Sequence, residues 1–189
     1  TVAVVEAAEE LAVALGGRLR LPMVAMLDEA ANVCRWRELP NLYSHYGSRG
    51  IVICTIMQSW SQGVVVWGRE GMRKLWSAAN IKVYGGGVSE TEFLGELSQL
   101  IGDYVYSNVS VSSSRQSGSS RSVDNDRKDK ILDVSDLAAL PRGRAVVFAS
   151  GAPATMVQTI PWYTGPDAAA VKASLAKYDP AQQLANGGA

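Results

Sequence analysis

The sequence holds little of what most catalytic chemistries require. It has one histidine, His45, and two cysteines, Cys34 and Cys54, in 189 residues. Their spacing makes no metal-ligand set. Cys54 lies inside an apolar run, where a thiol acts as a small buried hydrophobe, so a reducing compartment is the simpler expectation. An excess of charge of one sign is missing too: Lys plus Arg and Asp plus Glu both number 18. No net basic field advertises nucleic acid, and a DNA role would have to rest on local patches or on assembly with other copies. No apolar stretch approaches the roughly 18 residues of a membrane span, and no signal peptide opens the chain. The phosphate-cradling loop Gly-x-x-x-x-Gly-Lys-Ser/Thr occurs nowhere. An initiator methionine is also absent, and the first residues run straight into a helical pattern, which reads as a piece of a longer protein.

What is present fits one folded α/β domain. The apolar fraction is 47% and the charged fraction 19%, in the range of globular domains with a real core. The opening segment places Val5, Ala8, Leu11, Ala12 and Leu15 on one helical face and ends at Gly16-Gly17. Two continuous apolar runs, residues 21–27 and 51–57, flank a helix-compatible segment at 35–46, where Pro40 is tolerable only near a helix start. Continuous apolarity predicts strands buried on both faces, hence a parallel strand–helix–strand crossover. Residues 59–79 read as one or two helical pieces broken at glycines, and 81–84 as a third strand. Ser89-Glu90-Thr91-Glu92 has the spacing of a capping box opening a helix with Phe93, Leu94, Leu97, Leu100 and Ile101. Further on, a short helix stops at Pro141, residues 145–149 and 154–160 form a hairpin, and 168–178 form a terminal helix before a frayed tail. Between residues 107 and 122, nine of sixteen residues are serine. Such a stretch buries little apolar surface, so 107–126 is expected to be a flexible loop, although its flank at 105–111 alternates like a strand.

Chemistry concentrates at the ends of the two apolar runs. The first closes on Asp28-Glu29, the pattern of a Walker B strand. Buried strand residues hold such carboxylates at the carboxyl edge of a sheet, where α/β ligands bind. The first acid can then hold the water shell of Mg²⁺ and the second can polarise a water attacking a γ-phosphate. Paired acids after a strand also occur as plain solvated loop residues. The second run ends on Gln58, whose amide would face the same cleft and suit a γ-phosphate sensor; the alternative is a glutamine capping the Ser59-Trp60-Ser61 turn.

Three stretches together resemble the TraG/TraD/VirD4 family of type IV coupling proteins, in an actinobacterial-like form. They are Val24-Ala25-Met26-Leu27-Asp28-Glu29-Ala30-Ala31-Asn32, Leu42-Tyr43-Ser44-His45-Tyr46-Gly47-Ser48-Arg49-Gly50-Ile51 and Met57-Gln58-Ser59-Trp60-Ser61-Gln62-Gly63. Asn80-Ile81-Lys82-Val83-Tyr84-Gly85-Gly86, Leu140-Pro141-Arg142-Gly143-Arg144-Ala145 and Pro161-Trp162-Tyr163 continue the likeness, in order, across residues 5–163. The resemblance implies the C-terminal part of a RecA-like P-loop ATPase with a three-layer α/β fold. Residues 1–165 would belong to its nucleotide-binding domain, with a mostly parallel sheet and a terminal hairpin, and 166–189 to a terminal helix and tail. It implies ATP and Mg²⁺ as cofactors, a hexamer as the working form, and single-stranded DNA, relaxosome proteins and type IV secretion channel components as partners. The parent would be anchored at the cytoplasmic face of a membrane, with this stretch a soluble part of it. Carried over, Asp28 coordinates Mg²⁺, Glu29 is the general base and Gln58 the sensor. Many relatives carry an arginine where Gly47 stands; Arg49 then either substitutes as a finger toward a neighbouring subunit or makes a salt bridge at the sheet edge.

Other features have plainer readings. Gly85-Gly86-Gly87 before a helix could cradle an anion through backbone amides, but with no following lysine it reads as a turn. His45 sits between tyrosines as a packing or hydrogen-bonding residue. Trp60, Trp67, Trp76 and Tyr84 could stack on bases, with core packing the simpler role. Arg115, Arg121, Arg127, Lys128 and Lys130 could touch phosphates but are diluted by Asp124, Asp126 and Asp129. Two other classes compete with the coupling motor: a docking module for an accessory or secretion-signal protein, and an FtsK/HerA-like DNA translocase. Sequence upstream of residue 1 separates them, through the presence or absence of membrane helices and a phosphate loop. Without that loop, this stretch is expected to be inactive alone.

Overall fold

Val5 and Ala12 of the first helix, α1 (Val2–Ala14), are buried, and Val5 packs on a pair of short strands. A computed structural model of the chain describes residues 2–114 and 118–179, with backbone alone from 107 to 127. Strand β1 (Met23–Leu27) pairs in parallel with β2 (Ile51–Thr55), Met23 opposite Ile51 and Leu27 opposite Thr55. The crossover between them runs through a one-turn helix α2 (Ala30–Val33) and α3 (Leu39–Ser48), with Pro40 in the first turn of α3, where a missing N–H costs nothing. Ala25, Leu27 and Ile51 face a core of Val5, Leu39, Tyr46, Met72 and Leu75. Val24, Met26 and Val52 are exposed. The expectation of burial on both faces thus fails here, because two strands and the helices of this chain cover only one side. Leu11 of α1 and Leu15 just after it are likewise exposed, so the buried stripe is narrower than the sequence pattern.

Helix α4 (Trp60–Ala78) is two helical pieces joined at Gly68, whose φ of 71° and ψ of 170° only glycine adopts readily. Strand β3 (Ile81–Tyr84) then leads to α5 (Thr91–Ile101). After the serine-rich region and a short α6 (Val134–Ala138), β6 (Arg144–Ala149) and β7 (Thr155–Gln158) form the expected hairpin. That hairpin joins β3 in the order β3-β6-β7, and every pairing in it is antiparallel. The predicted mostly parallel sheet is therefore corrected: among the described residues only β1 and β2 pair in parallel, since β3 pairs with a strand that runs in the opposite direction. A second core of Tyr84, Leu94, Leu97, Leu137 and Val146 underlies this sheet.

The serine-rich span is also corrected in its local structure. Strands β4 (Asp103–Ser114) and β5 (Gly118–Lys130) pair antiparallel with each other and with no third strand, making a long two-stranded ribbon. Backbone N–H and C=O groups supply that pairing whatever the side chains are. The chain continues through a 3-10 turn (Trp162–Thr164) into α7 (Ala168–Tyr178), as the sequence predicts; the expected frayed tail at 180–189 lies outside the described residues. No described helix is long and apolar enough to cross a membrane.

The predicted capping box at 89–92 is absent. Glu90 occupies the N-cap position of α5 but makes no side-chain bond to it. The capping box lies instead on α6, where Asp133 and Asp136 exchange side-chain and backbone bonds at 2.9 Å each. Gly86 and Gly87 have positive φ, and a Cβ at Gly86 would lie 3.3 Å from Leu140, so the glycine run is a tight turn packed on the chain that follows α6. Tyr84 takes the core role, its hydroxyl donating to the Leu137 carbonyl at 3.0 Å. Trp60 and Trp76 pack around Phe93, and Trp67 donates from its indole N–H to the Trp36 carbonyl at 2.7 Å. His45 bonds to Glu9 at 2.8 Å, tying α3 to α1.

Candidate active site

The carboxyl ends of β1 and β2 bring the predicted residues together. Beyond the last strand pair, Ile56 N–H donates to the Leu27 carbonyl and Ala30 N–H to the Ile56 carbonyl, both at 3.0 Å. These bonds fix residues 27–30 against residue 56 on either side of the acidic pair. Asp28 is exposed and Glu29 half-buried. Gln58 Nε2 donates to Glu29 Oε1 at 2.7 Å. A carboxylate only accepts, so the amide must turn its nitrogen to Glu29, which leaves the amide oxygen free for another donor.

Glu29 has φ 48° and ψ 45°, the sole non-glycine residue with positive φ among those described. A left-handed conformation costs an ordinary residue about 1–2 kcal/mol. Here it is held by the N-terminus of α2, since the Glu29 carbonyl accepts from Asn32 and Val33 at 2.8 and 2.9 Å. The turn lifts the Glu29 side chain off the strand direction and onto Gln58. Strain of this kind collects where side-chain placement matters.

The family described as the TraM recognition site of TraD and TraG matches residues 22–142. The chain belongs to the TraG/TraD family. The β1–β2 edge, Glu29 and Gln58 all fall inside the matched span. Solved structures of coupling proteins share the fold of this TraG/TraD chain. Bacterial conjugative coupling protein TrwBdeltaN70, in an unbound monoclinic form, aligns with a TM-score of 0.60 at 18% identity, covering 81% of this chain and 36% of that one. Plasmid coupling protein TrwB in complex with ADP and Mg²⁺ gives 0.57 at 19%, covering 75% and 31%. TrwB with the non-hydrolysable ATP analogue ADPNP gives 0.56 at 18%, covering 81% and 35%. The chain thus spans about a third of the length of the solved proteins it matches. None of the curated protein sequences is a significant match to it.

Arg49 is not part of this edge. It follows α3 at the opposite end of β2, five strand residues before the turn to Gln58, or about 17 Å of extended chain. Among the described residues its guanidinium has no ion-pair partner, so the salt bridge considered for it is not formed within them. Arg18, which the sequence reading passed over, donates from Nη1 to the Gly47 and Ser48 carbonyls at 3.2 and 3.0 Å. It thereby closes the C-terminus of α3, from which Arg49 extends.

Sequence reasoning also missed Glu90. Its carboxylate accepts from the backbone N–H of Trp60 and of Ser61, each at 2.9 Å, at the start of α4 and just after Gln58. Burial pushes this carboxyl up, but bonds from the Ser61 side chain and from the Ser61 and Trp60 N–H groups outweigh that and hold it below the usual glutamate range. No local motif could have found this contact, because its partners lie about 30 residues upstream.

Proposed function

We propose that this chain is the Walker B-bearing, C-terminal part of the RecA-like motor domain of a conjugative coupling ATPase. The working protein is a hexamer that drives DNA from a relaxosome toward a type IV secretion channel, anchored at the cytoplasmic face of a membrane. The observation that carries this reading is the Gln58–Glu29 hydrogen bond at the carboxyl edge of the one parallel strand pair. TrwB, with the same fold, binds ADP with Mg²⁺ and an ATP analogue. The exposed apolar face of Val24, Met26 and Val52 suits a strand pair that forms part of a larger sheet.

The residues fit Mg²⁺ in the manner of nucleotide sites. No group of three or more His, Cys, Asp or Glu is assembled among the described residues. A nucleotide-bound Mg²⁺ needs only one or two carboxylates beside phosphate and water, and the exposed Asp28 offers one. When bound, the ion neutralises charge that develops on the phosphates. Glu29 accepts a proton from the attacking water, its basicity being what an amide would lack. Gln58 orients Glu29 through Nε2 and keeps its amide oxygen for that water's second proton. Arg49, too far from its own edge, acts across a subunit boundary. Since the phosphate loop is missing from this sequence, residues 1–189 alone do not turn over ATP.

In the full-length protein, Glu29→Gln should leave ATP binding within about threefold while cutting turnover by 10²-fold or more, on the scale of a lost general base. Normal hydrolysis and DNA transfer by that variant would remove Glu29 from the mechanism and the reading with it. A second reading, docking of an accessory protein, is favoured by the family's own description as a TraM recognition site. It predicts that Glu29→Gln binds the accessory protein normally, so the two roles separate in one variant.

A further inference from the structure

The turn that carries Gln58 is pinned at both ends, and the second pin comes from a distant part of the chain. On one side, the Ile56 carbonyl is held by Ala30 N–H at 3.0 Å. On the other, Glu90 Oε2 and Oε1 take the Trp60 and Ser61 N–H groups at 2.9 Å each. Only Met57, Gln58 and Ser59 lie between the fixed points, and Gln58 is the middle one.

The first N–H groups of a helix have no acceptor within it and present its positive end. In α4 the third, from Gln62, goes to Ser59 Oγ at 3.3 Å, while the first two go to Glu90. Glu90 meanwhile leaves its own helix, α5, without a side-chain cap, and a cap is worth about 1 kcal/mol. Its carboxylate is spent on α4 instead. The contact is reinforced by Trp60 stacked on Phe93 of α5, centroids 5.2 Å apart, with Trp76 edge-on to both at 5.9 and 5.7 Å. The start of α4 and the start of α5 are therefore joined by both polar and aromatic contacts.

We propose that Glu90 is a positioning residue for hydrolysis: by clamping the start of α4 onto α5 it holds the Gln58 amide on Glu29. The proposal rests on the reading of Glu29 and Gln58 as the hydrolytic pair. The Glu90 carboxylate bonds to the backbone of Trp60 and Ser61 and to neither Gln58 nor Glu29. It acts through three residues of backbone, and a misplacement of about 1 Å at such a site can cost about 10²-fold in rate.

The test is a double-mutant cycle in the full-length, assembled coupling protein, reading DNA-stimulated ATP hydrolysis per folded molecule. Glu90→Ala should lower kcat by about 10- to 100-fold with the KM for ATP changed less than about twofold. Glu90→Gln, which keeps the shape and one acceptor oxygen, should recover part of that loss. In a Gln58→Ala background, Glu90→Ala should cost less than about a further twofold, because the group it positions is gone. Unchanged kcat in Glu90→Ala overturns the proposal. So do losses that multiply in the double variant, or that only track a lower Tm, and these would make Glu90 a structural cap. Should Glu90→Ala fail to fold, the comparison of Glu90→Gln with and without Gln58→Ala decides in the same way. Full turnover by Gln58→Ala alone would instead sink the hydrolytic reading itself, which separates that failure from this one.

Discussion

Around β1 and β2 polar groups are left available, whereas around β3, β6 and β7 they are used up. The first region ends in an exposed Asp28, an exposed Gln58 and a Glu29 held at positive φ. It also holds an Arg49 with no ion-pair partner among the described residues. In the second region the Tyr84 hydroxyl is bonded to Leu137, Ser98 Oγ donates to the Leu132 carbonyl at 2.6 Å, and Asp133 and Asp136 close a helix start. Polar groups satisfied in this way, Tyr84 and Ser98 among them in the core, specify packing, while strained or unpaired ones at a strand edge point to chemistry. The difference divides one short chain in two: an edge with exposed or strained polar groups and a sheet that supports. Glu90 is the exception, a residue of the supporting half whose carboxylate is bonded to the other.

Arg49 offers the largest effect by which this division could break. Arginine fingers are worth about 10³–10⁵ in rate. If Arg49 acts on a neighbouring subunit, Arg49→Ala in the assembled protein should lower turnover by about 10³-fold or more and leave nucleotide binding intact. Mixing that variant with Glu29→Gln protein should restore part of the activity, at interfaces that pair an intact base with an intact arginine. A lowered Tm with unchanged turnover per folded molecule would move Arg49 into the supporting class.

Two mid-helix glycines sharpen the same contrast at the level of stability. A Cβ on Gly63 of α4 would collide with Met72 Sδ and lie 3.1 Å from Met57 Sδ. A Cβ on Gly95 of α5 meets nothing within 4 Å. Gly63→Val should destabilise the protein by about 1–3 kcal/mol through overpacking. Gly95→Ala should stabilise it by about 0.5–1 kcal/mol through helix propensity. Urea unfolding of both variants checks the pair, and equal shifts of the same sign would show that the two helices are packed alike.

The sequence made some of this legible and hid the rest for identifiable reasons. Strands β1 and β2 announce themselves as continuous apolar runs, α7 is bounded as its pattern predicts, and Pro40 falls in a first turn where its ring is harmless. The placement of the Asp28-Glu29 pair and Gln58 at one sheet edge was readable because the pair and the glutamine each follow such a run. The direction of β3 was not, since it depends on β6, about 60 residues later. Glu90 was missed because Ser-x-x-Glu spacing is a local signal that points to Ser89 and Glu92, whereas the bonds of Glu90 go to backbone donors of another helix. Glu29's conformation left no trace in composition at all. The ribbon was missed because serine content speaks of burial, whereas strand pairing is made by the backbone.

That ribbon belongs to neither region, and it should carry the smallest effect. β4 and β5 pair only with each other, and an isolated two-stranded hairpin is at best marginally stable in water. Its base is fastened by Lys130 Nζ to Asp103 at 2.7 Å, and Tyr104 and Tyr106 stack along β4 beside it. Tyr106 and Arg127 are register partners, so a two-residue Asn-Gly turn can join them directly. Replacing residues 107–126 with that turn should shift stability by less than about 1 kcal/mol, since no described core residue is removed. In the intact chain, amides of residues 107–114 and 118–126 should exchange faster than those of β6, because opening the ribbon exposes no core. Slow exchange along the ribbon, or a Tm lowered by more than about 5 °C on its removal, would show that it packs on the rest of the chain. It would then be a third supporting element, and the two-part division would have to be redrawn around it.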